Sequence, residues 1–205
     1  MTDPVTLIFG VVILIFSVIA HELSHGYMAE ALGDPTARLA GRLTFNPLRH
    51  LDVMGSLIVP ALSFTLGGFI FGWAKPVPYN PYNLRKGNVG EALVAGAGIF
   101  TNLLLALIFG LLIRFYGNVL PESFVSLAML VVLTNIVLAL FNLVPVPPLD
   151  GSKLLFSLLP FSLHPLQETL ERWGLPFLLF FVFFLWQFVT PLIGLIFRLL
   201  TGITF

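Results

Sequence analysis

Two histidines and a glutamate end the first apolar run of the chain. The run from Val11 to Ala20 leads directly into His21-Glu22-Leu23-Ser24-His25, which has the pattern His-Glu-x-x-His. On a helix, residues four apart differ by about 400° of rotation and about 6 Å of rise, so both imidazoles lie on one face and can bind one metal ion. Glu22 lies beside them, where it can take a proton from an attacking water, as in metalloproteases. The spacing therefore predicts zinc-dependent hydrolysis with Glu22 as the catalytic base.

A chance occurrence of this short pattern is the alternative interpretation, since a histidine on an apolar face is often a buried core residue without a metal. The position of the motif inside an apolar segment argues against chance. Each ionisable side chain in hydrocarbon costs about 2.5–3.5 kcal/mol on insertion scales, and three of them occur within five positions here. We therefore expect a third metal ligand elsewhere in the chain.

The composition is that of an integral membrane protein. Of the 205 residues, 58% are hydrophobic and 10% are charged, and the mean hydropathy is +0.99. Soluble domains contain about 25% charged residues. We predict one membrane-embedded domain, residues 1–205, because the polar stretches are too short for a separate soluble domain. The net charge of zero gives no support to nucleic-acid binding, and the absence of cysteine leaves His, Asp and Glu as metal ligands.

The apolar segments predict an all-α polytopic membrane protein with about four to six membrane helices. The segments long enough to span are Val5 to Leu32, Asn88 to Tyr116, Ser123 to Leu143 and Leu175 to Leu200. The amphipathic stretch from Leu163 to Trp173 predicts a short helix at the membrane interface. The N-terminus lacks the basic residues of a signal peptide, so we expect the first helix to be retained.

Two further segments are predicted to enter the membrane without crossing it. Leu51 to Leu66 contains Gly55 and Pro60 and is about 16 residues long, which is short for a spanning helix. We expect it to form an embedded re-entrant segment that lines a watery cavity. Phe69 to Ala74 is rich in aromatic residues and is followed by two prolines, which favours a short extended hairpin.

The basic residues predict the orientation of the chain. If Leu51 to Leu66 does not cross, eight of the ten basic residues lie on one side and only Arg114 and Arg198 lie on the other. Cytoplasmic loops carry such an excess of Lys and Arg. We therefore predict a multi-pass protein of the plasma (inner) membrane with four crossings, whose histidine motif lies in the cytoplasmic half.

The candidates for the third metal ligand are His50, Asp52, Glu91, Asp150 and His164. Asp150 is favoured because it follows a stretch with three prolines, Asn142 to Gly151, which cannot continue a regular helix and exposes backbone in or near the bilayer. As an alternative, Asp150 only caps the next helix, a role to which Asp is well suited. The other candidates lie in turns, at helix starts or in an interfacial loop, where capping or solvation explains them.

Together these residues resemble the site-2 proteases, a family of intramembrane zinc metalloproteases. His21 to Gly26 is similar to the first motif of the family, and Asn142 to Gly151 is similar to its motif Asn-x-x-Pro-x-Pro-x-Leu-Asp-Gly. Asn46 to Asp52 and Phe71 to Pro78 are similar to stretches of the compact members, which lack PDZ or CBS domains. The resemblance covers most of the chain. It implies a zinc site whose ligands are His21, His25 and Asp150.

The resemblance also implies residues that contact the substrate. The family often has Gly-Pro-x-x-Asn in the helix between its two motifs, whereas Gly98-Ile99-Phe100-Thr101-Asn102 contains one residue more and no proline. Asn102 is then expected to line the site, or else to form a hydrogen bond between helices. Asn142 is expected to hold a substrate carbonyl or the oxyanion, or else to satisfy backbone groups freed by the prolines.

The predicted function is hydrolysis of peptide bonds in or near transmembrane helices of membrane proteins within the lipid bilayer. The unwound substrate would pair by strand addition with five consecutive residues: Phe69, Ile70, Phe71, Gly72 and Trp73. As an alternative, these aromatic residues anchor a re-entrant loop at the interface. Two other functions stay open, namely metal binding or transport without proteolysis and an inactive relative. The chain lacks the repeated halves common in transporters and retains Glu22, which favours the protease.

Overall fold

A computed structural model describes residues 4–59, 61–62, 65, 72–159 and 164–203. Within these ranges the secondary structure is helical and no strand is formed. Four helices are long and apolar enough to cross a membrane: α1 (Pro4–Ala31), α3 (Gly87–Tyr116), α4 (Glu122–Asn142) and α7 (Gly174–Thr201). The prediction of an all-α membrane protein is confirmed, and the four candidate spans fall within the predicted number of about four to six.

Short helical elements connect the spans. Helix α2 (Thr36–Leu39) follows α1, and α5 (Asp150–Leu158) and α6 (His164–Arg172) lie between α4 and α7. Turns of 3-10 helix occur at Pro47–Arg49 and Pro81–Asn83, and π-helical turns occur at Val53–Ile58 and, within α7, at Phe181–Leu185. The proline-rich stretch ends α4 and α5 begins at Asp150, as the prolines predict.

A buried apolar cluster holds α3, α4 and α7 together. Its members are Ala106, Ile113, Ala128, Val132, Ile136, Ile193 and Phe197. Small residues allow the helices to approach closely: a Cβ added to Gly110 of α3 would lie only 2.7 Å from Cβ of Leu200 in α7. Helices in hydrocarbon associate through such close packing. Helix α3 also packs against α1, which carries the histidine motif.

Hydrogen bonds to main-chain carbonyl oxygens bring particular helix ends together. The amide of Arg85, just before α3, donates to the carbonyl oxygen of Leu32, just after α1, over 2.8 Å. At the far end of α3, the Arg114 guanidinium donates to the carbonyl oxygen of Leu199 near the end of α7. The end of α1 therefore adjoins the start of α3, and the ends of α3 and α7 adjoin each other, as expected for four crossings.

The segment before α3 is held by two main-chain hydrogen bonds. The amide of Trp73 donates to the carbonyl oxygen of Gly55, and the amide of Lys75 donates to that of His50, each over 2.9 Å. Residues 73–80, which we call the strap, have no regular secondary structure. Most of the predicted hairpin, Phe69 to Ala74, lies outside the described residues, which omit 66–71.

Candidate metal centre

The side chains of His21, His25 and Asp150 meet between α1 and the start of α5. Nε2 of His21 lies 2.9 Å from Oδ2 of Asp150, and Nε2 of His25 lies 3.1 Å from the same oxygen. The three residues are buried, with 6%, 8% and 8% of their surface exposed, respectively. Two side chains from one turn of α1 thus meet a carboxylate 129 positions after His21.

The spacing of these atoms fits a metal ion. Zinc binds imidazole nitrogen and carboxylate oxygen at about 2.0–2.2 Å in a tetrahedron, which separates neighbouring ligand atoms by about 3.3–3.5 Å. The distances of 2.9 and 3.1 Å are within about half an ångström of that separation. The Glu22 carboxylate belongs to the same cluster, because one of its oxygens and one nitrogen of each histidine lie within 4.8 Å of one another.

Each histidine is oriented through its other ring nitrogen. Nδ1 of His21 donates to Oδ1 of Asn102 over 2.6 Å, and Nδ1 of His25 donates to the carbonyl oxygen of Val94 over 2.7 Å. A neutral imidazole that donates from Nδ1 has its lone pair on Nε2. Both Nε2 atoms point toward Asp150, and in that tautomer both are available to bind a metal ion beside the carboxylate.

Asn102 begins a buried chain of polar groups across three helices. Its Nδ2 donates to Oδ1 of Asn135 over 2.8 Å, and Nδ2 of Asn135 donates to Oγ of Ser17 over 3.0 Å. Both asparagines are 0% exposed. Since unsatisfied amides are costly in hydrocarbon, this chain stabilises one arrangement of α1, α3 and α4. The Asn102 amide is engaged with His21 and Asn135.

Glycines make room around two of the clustered side chains. A Cβ added to Gly98 of α3 would collide with the imidazole ring of His21. A Cβ added to Gly151 would collide with the carbonyl oxygen of Leu143. The second contact lets the start of α5 pack against the end of α4 and thereby places Asp150. Leu149 occupies the N-cap position of α5, and the Asp150 carboxylate contacts the histidines.

The other candidate ligands have different surroundings. Nε2 of His50 lies 2.8 Å from the carbonyl oxygen of Thr44, and Asp52 caps the following turn by accepting a hydrogen bond from the Gly55 amide. Glu91 lies near the start of α3, close to Tyr79 of the strap. Burial raises the pKa of Tyr79 to about 12, with contributions from the charges of Glu91 and Asp150. This phenol is therefore protonated at neutral pH.

The structure describes some of the residues that were expected to contact substrate. Asn142 donates from Nδ2 to the carbonyl oxygen of Leu138, within α4. Gly72 and Trp73 are exposed, Trp73 by 47%. Phe69, Ile70 and Phe71 lie outside the described residues.

Several groups at the site were not predicted from the sequence. They are the Val94 carbonyl, the Asn135 side chain, and the Val77 amide, which donates to Oε2 of Glu22 over 2.8 Å. The Val94 carbonyl and the Val77 amide could not be predicted from residue type, because main-chain groups are common to all residue types. Asn135 did carry a signal, because an amide inside an apolar helix needs a buried partner.

Comparison with known sequences identifies relatives of this chain. The sequence model described as "Peptidase family M50" matches residues 114–185, a range that includes Asp150. YwhC of Bacillus subtilis, named as a zinc metalloprotease, is 38% identical over 189 residues, which cover 89% of this chain and 80% of that protein. No solved structure matches the chain.

Two mycobacterial proteins are also similar. Rip2 of Mycolicibacterium smegmatis, named as a zinc metalloprotease, is 35% identical over 69% of this chain and 56% of its own length. Rip2 of Mycobacterium tuberculosis is 31% identical over 66% of this chain and 51% of its own length. The matched part is thus little more than half of each Rip2 protein. The chain belongs to peptidase family M50, the site-2 proteases, and is an intramembrane zinc metalloprotease.

Proposed function

We propose that residues 1–205 form one protease domain of the plasma (inner) membrane that cleaves transmembrane segments of other membrane proteins. Its zinc ligands are His21, His25 and Asp150. The observation that carries this assignment is the approach of both Nε2 atoms to Oδ2 of Asp150, at 2.9 and 3.1 Å, while each Nδ1 is held by another partner. Three protein ligands leave a fourth position for water or substrate, as in other catalytic zinc sites.

Zinc and Glu22 have different roles in the proposed reaction. When bound, zinc polarises the peptide carbonyl as a Lewis acid and lowers the pKa of a water molecule. The Glu22 carboxylate takes a proton from the attacking water, whose oxygen forms the bond to the carbonyl carbon. Glu22 then returns the proton to the amide nitrogen as the C–N bond breaks. The hydrogen bonds to Asn102 and Val94 place the hydrogen of each ring on Nδ1 and hold both imidazoles in one orientation.

The two asparagines have different roles in this proposal. Asn102 acts through His21, because its amide is already engaged with His21 and Asn135. Asn142 is our candidate for the contact with a substrate carbonyl or the oxyanion. Its Nδ2 has two N–H donors, of which one is donated to the carbonyl oxygen of Leu138.

The segment after His50 admits water and substrate in this proposal. We assign residues 51–66 as re-entrant and Phe69 to Ala74 as the hairpin whose edge pairs with the unwound substrate. Two hydrogen bonds support this assignment, from Lys75 to His50 and from Trp73 to Gly55. If residues 51–66 crossed the membrane fully, the residues after them would lie on the opposite side and could not contact His50 and Gly55. Pairing with an edge would satisfy substrate backbone groups that otherwise go unpaired in a low-dielectric site.

The test compares the protein with Glu22→Gln in detergent, using a fluorogenic peptide that contains one apolar span. Glu22→Gln should retain zinc and lose cleavage, because it removes the proton acceptor and keeps the side-chain shape. The matched control is Glu30→Gln, also on α1, where the carboxylate pairs with Arg38 over 2.9 Å. Glu30→Gln should cleave normally. Zinc binding without cleavage by any form would favour a metal-binding protein that is not a protease.

A proline scan tests the hairpin edge. Each of the residues Phe69, Ile70, Phe71, Gly72 and Trp73 is replaced by proline, which removes one backbone donor. Cleavage should fall at one or more alternate positions while zinc content stays the same. Uniform activity across zinc-loaded variants would show that the segment does not hold the substrate.

A further inference from the structure

The carboxylate of Glu22 is held by a main-chain group far away in the sequence. The Val77 amide donates to Oε2 of Glu22 over 2.8 Å, across 55 positions. Val77 is 5% exposed, so water has little access to this amide. Among the residues that the structure describes, no other hydrogen bond to the Glu22 carboxylate is formed.

The sequence around Val77 isolates this donor. Pro76 and Pro78 have no amide hydrogen, so Val77 supplies the only main-chain donor among three consecutive residues. Proline also restricts the residue before it to extended conformations, which applies here to both Lys75 and Val77. The Pro-Val-Pro sequence therefore presents one amide from a stiff, extended backbone.

The strap is anchored on both sides of Val77. On one side, the Lys75 amide donates to the His50 carbonyl oxygen over 2.9 Å, and Nη2 of Arg42 donates to the Lys75 carbonyl oxygen over 2.8 Å. On the other side, the Asn80 amide donates to Oδ2 of Asp34 over 2.7 Å. These contacts fix the position of the strap relative to α1.

A glycine in α1 makes room for the Val77 side chain. Gly26 lies one turn after Glu22, and a Cβ added there would lie 2.9 Å from Cγ1 of Val77 and 2.5 Å from Cδ2 of Leu43. Only a residue without a side chain lets the strap approach α1 this closely. The sequence thus supplies both the Val77 amide and the space beside Gly26 that the Val77 side chain occupies.

From these contacts we infer that Val77 is a positioning residue, whose amide holds Oε2 of Glu22 and leaves the other oxygen to exchange protons with water and the leaving amine. The inference rests on the proposed role of Glu22 as the base. A long carboxylate side chain has several rotamers, and each unproductive one would reduce the rate. Holding one rotamer before substrate binds removes that loss.

The contact itself can be tested without any substrate. In protein labelled with nitrogen-15 valine, the Val77 amide resonance is identified as the one missing from Val77→Ala. Its proton should resonate downfield and exchange slowly, and it should move upfield in Glu22→Ala but not in Glu30→Ala. An unchanged Val77 resonance in Glu22→Ala would overturn the inference.

The effect on catalysis can be tested by replacing one amide with an ester. The hydroxy-acid analogue of valine at position 77 removes the N–H and keeps the side chain. The matched control is the same change at Tyr79, on the other side of Pro78, whose amide makes no hydrogen bond within the described part of the chain. With the single-span peptide, the ester at 77 should lower kcat by about tenfold to a hundredfold with KM and zinc content unchanged. The ester at 79 should have little effect.

Two outcomes would contradict a positioning role. The first is equal kcat for the two esters. The second is loss of zinc or a matching rise in KM for the ester at 77, which would indicate a structural role for the strap. If the unmodified protein does not cleave the peptide, the proposed function fails, and the resonance experiment still decides whether Val77 holds Glu22.

Discussion

Nδ1 of His21 and Oδ1 of Asn102 lie 2.6 Å apart, although 81 positions separate the two residues in the chain. The contact joins α1 to α3 and selects the ring nitrogen of His21 that faces Asp150. Because Asn102 also donates to Asn135, the orientation of His21, a proposed metal ligand, depends on the packing of three membrane helices.

Removal of this contact should weaken zinc binding. We expect Asn102→Ala to lower zinc affinity by about 10- to 100-fold, because the partner that orients a ligating histidine is lost. Competition with a chelator measures the affinity. Asn142→Ala is the control, since its amide donates to Leu138 within its own helix, and its zinc affinity should not change. Equal affinity in Asn102→Ala and the unmodified protein would contradict the assignment.

The ligand set predicts the metal content. About one zinc ion per chain should bind, and His21→Ala, His25→Ala and Asp150→Ala should each lose it, because a catalytic site uses three protein ligands. Elemental analysis of the purified variants measures this content. His50→Ala is a buried-histidine control outside the cluster and should retain zinc. Full zinc content in Asp150→Ala would exclude Asp150 as a ligand.

Two glycines of α3 should respond differently to the same change. Gly98→Ala places a methyl group against the His21 imidazole and should reduce both zinc content and cleavage more than about tenfold. Gly96→Ala meets only Cδ2 of Leu154, at 4.0 Å, and should leave both unchanged. Zinc analysis and the peptide assay make the comparison. Normal zinc content in Gly98→Ala would show that the ring can move aside.

We expect the Asp34 carboxylate to make a pH-dependent contribution to stability, because its pKa is lowered in the folded protein. Burial tends to raise the pKa of Asp34, but hydrogen bonds from Thr36, Asn83 and Asn80 outweigh burial and lower the pKa below its ordinary value. The stabilisation is therefore present above the unfolded-state pKa of about 3.9 and is lost as pH falls through the lower folded-state pKa.

The corresponding variant is Asp34→Ala. It should reduce the free energy of unfolding by about 1–3 kcal/mol at neutral pH, because the hydrogen bonds from Thr36, Asn80 and Asn83 to a charged acceptor are lost. Denaturant unfolding in one detergent, followed from neutral pH downward, measures the difference from the unmodified protein. The difference in the free energy of unfolding between the two proteins should be constant near neutral pH and should shrink below about pH 4. A difference that grows on acidification would contradict the sign of the pKa change.

The four-crossing topology can be tested by labelling, because the chain has no cysteine. Tyr82→Cys and Asn118→Cys introduce single thiols at exposed positions before α3 and after it. An impermeant reagent added to one face of sealed vesicles should label only one of the two. Labelling of both thiols from the same face would overturn the topology.

The spans were predictable because hydropathy is a local property. The predicted bounds of α1, Val5 to Leu32, differ by one residue at each end from Pro4–Ala31. The predicted re-entrant segment was harder to assess from sequence, because glycine and proline indicate an interruption without indicating where the chain returns. Tertiary contacts such as the one between Lys75 and His50 carry that information, and they join residues far apart in the sequence.

The sequence by itself determined the chemistry of the centre and the helices that carry it. Helical spacing places His21 and His25 on one face of α1, and the absence of cysteine narrows the donor types. Only the tertiary structure decided which groups orient them: Asn102 lies behind His21, and the Val77 amide holds Glu22. The reason is physical, since every residue except proline has the same main-chain donor, and only packing selects the one that meets a given side chain.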